Sequence, residues 1–352
     1  MGSILPYLAF IPVFGVLVTV HEFGHFIVAK LNGVKVLEFS IGFGPPLARV
    51  QRGETVYALR AVPLGGYVRM AGMDDGETGP RSFNAQPVGN RLAIISAGAL
   101  TNLILPAIIL FLAFVGQAGA PVVVQSVVAG DPAQHAGIAP GDRLLEVNGQ
   151  RVQDVVDFRA RIAGNGGGPL DLVVQHAGGG TGTVVITPVQ TDGRWIIGVV
   201  PRGSFDLAKG AQAAMDQYVG LLGSLAGGFG DLLSGHVPGG LAGPCGPSGP
   251  VGIVRATGEA ASAGWLPLLV FTAFLSLNLG ILNLLPIPAL DGGRLLFLVY
   301  EAVRRRPLDP QKEQRVHYIG LVVLIGLILL ISFNDVLRLP TPFQALVARC
   351  QG

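Results

Sequence analysis

Two histidines and one carboxylate near the start of the sequence have the spacing of a metal site. His21 and His25 are four residues apart, and Glu22 directly follows the first histidine. Residues four apart lie on the same face of an α-helix, so both imidazoles can reach one metal ion. Glu22 lies about 100° further around the helix, where it can face a water molecule held by that ion. The pattern His-Glu-x-x-His is typical of zinc sites that activate water to hydrolyse peptide bonds.

A third metal ligand is needed, because a catalytic zinc usually has three protein ligands and one water. Asp291 is the best candidate, since it ends an apolar stretch in the sequence Asn-Leu-Leu-Pro-Ile-Pro-Ala-Leu-Asp-Gly-Gly. Pro286 and Pro288 remove two backbone donors and prevent a regular helix in front of it. We therefore expect Asp291 on an unwound turn at the same membrane depth as His21 and His25, with one Zn²⁺ per chain.

Other ionisable residues suit this site less well. Asp74 and Asp75 lie in a polar loop. The remaining histidines are scattered over other segments, and we expect them to be ordinary surface or interface residues: His135, His176, His236 and His317.

Two asparagines within apolar runs are candidates for contact with a substrate. Asn283 lies eight residues before Asp291, and its amide can hold a substrate backbone or stabilise a developing oxyanion. Asn102 follows Gly98 in another apolar run, where a small residue permits close helix packing. For both amides the alternative is a hydrogen bond between helices, and the sequence leaves this open.

The composition indicates a membrane protein. Only 13% of the 352 residues are charged, whereas a soluble domain has about 25%, and the mean hydropathy is +0.56. The net charge of +2, with no dense basic run beyond the arginines at 304–306, excludes nucleic acid as a partner. Two cysteines exclude a disulfide-rich scaffold. Four apolar runs are long enough to span a bilayer: residues 4–29, 92–115, 265–285 and 316–333.

The distribution of Lys and Arg predicts the orientation of these spans, because cytoplasmic loops are enriched in both. Residues 30–91 carry eight Lys and Arg and residues 294–315 carry six, while the much longer stretch 116–264 carries only eight. The first two segments are therefore expected to be cytoplasmic, and the third and both termini extracytoplasmic. The first run is expected to be retained, because it ends in the metal-site residues and not at a cleavage site.

Residues 35–70 alternate apolar and polar side chains, interrupted by Gly and Pro. This pattern predicts short strands and hairpins on the cytoplasmic side, close to the end of the first span. Irregular backbone at membrane depth is tolerated only where protein or a watery cavity covers it.

Residues 121–201 have the composition of a soluble domain. Residues 139–149, Ala-Pro-Gly-Asp-Arg-Leu-Leu-Glu-Val-Asn-Gly, resemble the signature turn and strand of a PDZ domain, and the resemblance covers about 80 residues. A PDZ fold binds an extended peptide as an added strand; alternatively, the domain is a steric cover that binds nothing. Strands are predicted at 122–128, 170–174, 184–186 and 196–200 and a helix at 155–162. In bacterial permuted PDZ domains the carboxylate-binding loop lies near the last strands, so the candidate groove residues are Ile196, Ile197, Gly198 and Val199.

Residues 204–234 have apolar side chains at helical spacing and few charges. They are predicted to form an amphipathic helix on the membrane surface, broken near Gly227 and Gly228. Residues 238–250 are rich in Gly and Pro and are expected to be a linker. Cys245 and Cys350 both fall on the extracytoplasmic side, where they either pair or remain two free thiols.

These motifs together resemble the site-2 protease family, and within it the bacterial sigma-E regulating type, which are zinc intramembrane metalloproteases. The resemblance rests on His-Glu-x-x-His in a first span, Asn-x-x-Pro-x-Pro-x-Leu-Asp-Gly-Gly in a later one, Gly-Pro-Val-Gly-Ile at 249–253, and the PDZ-like segment between. It implies that His21, His25 and Asp291 bind zinc and that Glu22 is the catalytic base. It also implies that residues 35–70 form a membrane-re-entrant sheet that pairs with the substrate. The best-known members of this type carry two tandem PDZ domains, whereas this sequence has room for one.

The expected fold is an α-helical integral membrane protein with about four transmembrane helices, a cytoplasmic-side re-entrant β-hairpin region and one inserted extracytoplasmic PDZ (α+β) domain. The expected segments are the first span with the metal motif (1–34), the hairpin region and its loop (35–90), the second span (91–117), the PDZ domain (118–203), the amphipathic helix and linker (204–262), the third span with Asp291 (263–293), and the cytoplasmic loop, fourth span and tail (294–352).

The resemblance also implies a location and a class of substrate. The protein would reside in the bacterial inner (cytoplasmic) membrane, with its active site towards the cytoplasm and its PDZ domain outside. Its substrates would be single-span membrane proteins already trimmed on the outside by a site-1 protease, such as anti-sigma factors, and remnant signal peptides.

Two other classes of function use the same residues. A metal transporter would use them as an ion path, but inverted repeats would then be expected, and the sequence shows none. A PDZ-bearing membrane scaffold would have a structural metal site, but such a site normally has four protein ligands, and the sequence offers no fourth ligand of matching depth.

Overall fold

The computed structural model describes residues 5–73, 77–115, 122–191, 194–202, 207–235, 248–306 and 310–338. Within these ranges the chain forms nine α-helices and ten β-strands. The helices are α1 (Phe10–Leu31), α2 (Val88–Val115), α3 (Pro132–His135), α4 (Val155–Gly164), α5 (Leu207–Ser234), α6 (Pro250–Ser262), α7 (Trp265–Leu284), α8 (Asp291–Arg304) and α9 (Pro310–Arg338). The strands are β1 (Val36–Arg52), β2 (Thr55–Met70), β3 (Val122–Val127), β4 (Arg143–Val147), β5 (Gln150–Arg151), β6 (Leu170–Gln175), β7 (Thr181–Ile186), β8 (Val189–Thr191), β9 (Arg194–Ile196) and β10 (Val199–Arg202).

Four helical segments are long and apolar enough to cross a membrane. They are Leu5–Leu31, Val88–Val115, Trp265–Leu284 and Gln311–Val336. Each coincides with one of the four predicted spans, because an uninterrupted apolar run of this length determines a helix without help from distant residues. The chain divides into two compact units, one comprising residues 1–106 and 220–352 and the other residues 107–219.

In the first unit, α1 and α2 approach each other closely. A side chain at Gly24 would place its Cβ 2.5 Å from the Ala97 carbonyl oxygen, so only glycine fits there. The Thr101 hydroxyl donates a hydrogen bond to the Val20 carbonyl at 3.1 Å. Small residues at a helix crossing allow the backbones to meet in this way, and they bring α2 against the histidine face of α1.

A salt bridge joins the start of α2 to α8. The Arg91 guanidinium donates to both carboxylate oxygens of Glu301, at 2.6 and 3.1 Å. Both side chains are largely buried, at 12% and 14% exposure. A bidentate pair of this kind is stronger and more directional than a surface ion pair, so it fixes α8 relative to α2.

The predicted hairpins of residues 35–70 are present as one sheet of two long, bent strands, β1 and β2. The strands turn at Gly53 and pair from Arg52 with Thr55 back to Pro46 with Arg60. The first half of β1 has two neighbours, because residues 38–41 pair both with 56–59 and with 66–69. Residues 66–69 therefore form an outer strand, which pairs with residues 38–41.

Two segments that the sequence did not predict as helical are helices in the first unit. Residues 250–262, expected to belong to a linker region, form α6, and the expected loop after residue 294 begins as α8. The Asp335 carboxylate of α9 accepts a hydrogen bond from the Gly252 N–H in the first turn of α6, at 2.8 Å. A carboxylate at a helix N-terminus satisfies a free N–H and opposes the helix dipole. Side chains at Gly249 and Gly252 would approach Asp335 to 2.9 and 3.2 Å, which explains the glycines of the Gly-Pro-Val-Gly motif.

The predicted break in the amphipathic helix is wrong. α5 continues through Gly227 and Gly228 to Ser234. Glycine lowers helix stability by only about 1 kcal/mol per residue, and the surrounding apolar spacing outweighs that cost. Residues Asp74, Asp75, His236, Cys245 and Cys350 lie outside the described part of the chain.

The second unit contains a sheet with the strand order β10-β3-β4-β6-β7, with β5 paired to β4. Its core includes Phe158 of α4, which is fully buried among side chains of β3, β4 and β6. The predicted strands at 122–128, 170–174 and 184–186 and the helix at 155–162 coincide with β3, β6, β7 and α4. The predicted continuous strand at 196–200 is wrong, because Gly198 adopts φ +80° and separates β9 from β10.

The Pro-Gly-Asp turn of this unit is built around the buried carboxylate of Asp142. It accepts hydrogen bonds from the backbone N–H groups of Ala139 and Ala177, both at 3.0 Å, and lies 2.9 Å from Nδ1 of His176. Burial raises the pKa of Asp142, but the two N–H donors and His176 outweigh it and hold the pKa below its ordinary value. The aspartate of the PDZ-like motif thus fixes the turn that precedes β4.

Candidate metal centre

Three predicted ligands, distant in sequence, meet in the first unit. Asp291 Oδ2 lies 3.0 Å from His21 Nε2 and 3.1 Å from His25 Nε2, and the two Nε2 atoms are 3.2 Å apart. Both histidines are buried, and the aspartate side chain is 21% exposed. Among the described residues, these three form a group of His and Asp side chains close enough to share one metal ion.

The spacing of these three atoms fits zinc. Ligand atoms at the corners of a tetrahedron around zinc, each about 2.0–2.1 Å from it, lie about 3.3–3.4 Å from one another. The observed separations are 3.0 to 3.2 Å, so small movements suffice. Two imidazole nitrogens and one carboxylate oxygen are ligands that zinc prefers, and three protein ligands leave one position for water.

Helix α2 orients both imidazoles. His25 Nδ1 donates to the Ile94 carbonyl at 2.8 Å, which leaves Nε2 with a free electron pair on the side of Asp291. His21 Nδ1 lies 3.4 Å from the side-chain amide of Asn102, which is fully buried. The Asn102 Oδ1 atom has no hydrogen-bond partner among the described residues. Turning that amide over lets Oδ1 accept from His21 Nδ1–H, so both histidines can present Nε2.

Gly98 gives the histidines their room. A Cβ at this position of α2 would lie 2.3 Å from His25 Nε2 and 2.8 Å from His21 Cε1. The close packing predicted for Gly98 is therefore a contact with the metal ligands themselves.

Glu22 faces the outer strand of the β1–β2 sheet. Its carboxylate lies close enough to the Val68 backbone to interact with it electrostatically, and a Cβ at Gly66 would lie 3.6 Å from its Cγ. Residues 66–69 thus pass beside Glu22, which directly follows the ligand His21 in the sequence. Local spacing predicts Glu22 but not the strand beside it, because strand register depends on pairing between distant residues.

The unwound segment lies in front of Asp291, not at it. α7 ends at Leu284, and Asp291 is the first residue of α8. Side chains at Gly292 and Gly293 would approach backbone oxygens of residues 285 and 287 to 1.8 and 2.7 Å, so this tight turn requires both glycines. The expectation that Asp291 sits on an unwound turn is corrected to a helix start that an irregular turn presents.

His317 of α9 contacts this turn, which the sequence did not reveal. The Ala289 N–H donates to His317 Nδ1 at 3.1 Å. His317 was expected to be an ordinary surface or interface histidine. The signal that could have found it is its place at the start of an apolar span, where ionisable side chains are costly and tend to be functional.

Residues 9–327 match the family model described as Peptidase family M50. This chain belongs to peptidase family M50. The resemblance to site-2 proteases is thereby confirmed, and the protein is a zinc metalloprotease.

Individual relatives of this M50 protease cover nearly its whole length. A Clostridium perfringens protein with zinc metalloprotease in its name is 36% identical over 92% of this chain and 96% of the relative. Zinc metalloprotease RasP of Geobacillus kaustophilus is 32% identical over 94% of this chain and 97% of the relative. The Bacillus subtilis Regulator of sigma-W protease RasP is 31% identical over 94% and 98%. These matches favour a protease over the transporter and scaffold alternatives.

The two asparagines predicted as substrate contacts differ in their relation to the three ligands. Asn283 is buried in the last turn of α7. Because Asn102 contacts His21, its position supports a role in orienting that ligand better than a role in direct contact with the substrate. Asn283 remains a prediction.

The four groove candidates of this M50 protease take part in the fold of the second unit. Ile197 is 2% exposed, and its carbonyl accepts from the Ala133 N–H at 2.8 Å. The Gly198 carbonyl accepts from the Val128 N–H, Ile196 ends β9, and Val199 pairs with Val127. Two of the four carbonyls are thus already bonded within the unit, and a peptide groove here remains a prediction.

Proposed function

We propose that this protein is a zinc-dependent intramembrane endopeptidase that cleaves the transmembrane segments of single-span membrane proteins. The observation that carries the proposal is the meeting of two imidazole nitrogens and one carboxylate oxygen within 3.2 Å of one another. The two histidines lie on α1, which is part of one of the four segments long and apolar enough to span a bilayer. Metal ligands on a membrane-spanning helix place the hydrolytic site within reach of a substrate that is itself in the membrane.

His21, His25 and Asp291 would hold one Zn²⁺ per chain. When bound there, zinc supplies a water of lowered pKa and a Lewis acid for the scissile carbonyl. Glu22 would act as general base and then general acid, taking a proton from the attacking water and giving it to the leaving amine. The closeness of the outer strand supports this role, because Gly66 and Val68 lie beside the Glu22 side chain.

The outer strand, residues 66–69, would bind the substrate. A peptide bond in a transmembrane helix is protected, because its carbonyl is hydrogen-bonded and water is absent. A locally unwound substrate can instead pair its main chain with an exposed strand edge. The strand that offers this edge contacts Glu22, so pairing there brings a peptide bond to the catalytic carboxylate.

Topology and substrate choice complete the proposal. The excess of Lys and Arg supports a cytoplasmic position for residues 30–91 and 294–315 in the bacterial inner membrane, with residues 118–203 outside as one PDZ domain. In that position the PDZ domain would exclude substrates that a site-1 protease has not trimmed. A relative named as a regulator of sigma-W supports anti-sigma factors as substrates, and remnant signal peptides have the same single-span form.

A cleavage assay with a single-span model substrate in detergent tests the proposal, with and without a zinc chelator. Glu22→Gln should retain zinc and lose cleavage, since the amide cannot accept the proton of the water. Asp291→Ala should lose zinc, measured as metal stoichiometry. Cleavage by the Glu22→Gln variant, or unchanged zinc content in the Asp291→Ala variant, would remove the corresponding assignment.

A further inference from the structure

The turn that presents Asp291 contains a strained residue. Ala289, two residues before the aspartate, has φ +76°. A residue with a Cβ is disfavoured in this left-handed region, and alanine has no polar side chain to stabilise the conformation locally. Such a conformation persists only where surrounding contacts impose it.

The surrounding contacts come from α9. His317 Nδ1 accepts the Ala289 N–H hydrogen bond at 3.1 Å, and the His317 side chain is 17% exposed. The Phe297 ring of α8 packs edge-on against the imidazole, with ring centroids 5.5 Å apart. These two contacts fix the imidazole between the strained turn and the helix that Asp291 begins.

A second contact from α9 lies about one helical turn further on. Gly320 sits so close to the turn that a Cβ there would lie 2.3 Å from Pro288 Cβ. A hydrogen bond at Ala289 and close backbone packing at Pro288 therefore hold two successive residues of the turn. Both contacts act within three residues of the Asp291 carboxylate.

We propose that His317 is a positioning residue for the zinc ligand Asp291. Through Ala289 and Pro288, α9 holds the turn in the conformation that brings Asp291 Oδ2 to the two histidine nitrogens. The inference rests on the proposed role of Asp291 as a ligand. It assigns the fourth apolar helix to the metal site, although none of its side chains is among the three ligands.

Zinc affinity of the full-length protein in detergent, measured by competition with a chromogenic chelator, tests this role. His317→Leu should weaken zinc binding about fivefold to tenfold, the effect of one lost hydrogen bond. His317→Asn should bind zinc nearly as the parent does, because Asn Oδ1 can accept from the Ala289 N–H in place of Nδ1. Gly320→Ala should weaken binding through the Pro288 contact, whereas Gly326→Ala, on the same helix with nothing within 4 Å, should not.

A rescue separates positioning from general destabilisation. Ala289→Gly removes the cost of the left-handed backbone, so adding it to His317→Leu should restore most of the lost affinity. The thermal midpoint of the zinc-free protein should change little between the parent, His317→Leu and the double variant. Parent-like zinc affinity in His317→Leu, or a loss that Ala289→Gly does not reverse, overturns the inference. Zinc retention by Asp291→Ala would instead overturn the ligand assignment, so the two failures are distinguishable.

Discussion

Gly98→Ala is predicted to disable the metal site through a single methyl group. The added Cβ would lie 2.3 Å from His25 Nε2, about 1.1 Å closer than the 3.4 Å at which ordinary contact begins. The imidazole cannot easily retreat, because its Nδ1 is hydrogen-bonded to the Ile94 carbonyl and the residue is 6% exposed. Either the ligand atom or α2 must move by about 1 Å.

A displacement of that size is large for a metal site. Ligand distances need to stay within about 0.2 Å of their ideal values, and a misplacement of about 1 Å can reduce turnover about 100-fold. We therefore expect zinc affinity to fall at least tenfold and cleavage about 100-fold. Intrinsic helix propensity acts in the opposite direction, since Ala is favoured over Gly by about 1 kcal/mol.

The control is Gly89→Ala, the same substitution near the start of the same helix, where nothing lies within 4 Å. Chelator competition and the single-span cleavage assay should give parent values for this variant. Parent-like zinc binding and cleavage by Gly98→Ala would show that the histidines are not packed against α2 as described, and would refute the reasoning.

Three further predictions concern other contacts. Asn102→Leu should lower zinc affinity about tenfold, because His21 loses the partner that orients it; Asn102→Asp, which keeps an acceptor, should lose less, and equal losses would count against the orienting role. Asp142→Asn should lower the stability of the second unit by about 1–3 kcal/mol, since the buried N–H groups lose part of their pairing. The folded pKa of Asp142 is lowered, so the stability that its carboxylate contributes is present above the unfolded pKa of about 4 and is lost as the pH falls through the folded pKa. Hydrogen exchange at residues 139–147 measures this loss, and an acid dependence in the asparagine variant equal to that of the parent would contradict it. Arg91→Ala should destabilise the first unit by about 3 kcal/mol, and adding Glu301→Ala should cost little more; additive losses in thermal unfolding would show that the pair is not coupled.

The sequence predicted the residues whose placement depends on local spacing. His21, Glu22 and His25 follow from a four-residue repeat on a helix, and the four apolar helices follow from run length. Asp291 was found because its proline- and glycine-rich surroundings stop a helix next to an apolar run. These signals act over about 20 residues or fewer, which is the range in which the chain determines its own conformation.

The contacts that were missed join segments far apart in sequence. His317 lies 28 residues beyond Ala289, and the strand at 66–69 reaches Glu22 only through the register of the whole sheet. The split between β9 and β10 depends on one positive φ at Gly198, which a run of apolar residues does not reveal. Propensity alone also failed at Gly227 and Gly228, where the helix continues despite two poor helix formers.

The hydrogen bond between Asp335 and Gly252 has a consequence for shortened forms of the protein. Deleting α9 would remove an apolar helix that supplies none of the three metal ligands. It would also leave the first turn of α6 without the Asp335 carboxylate and the Ala289 turn without His317. A truncation ending near residue 309 should therefore be defective in two separate places, and supplying α9 as a separate peptide should repair both together.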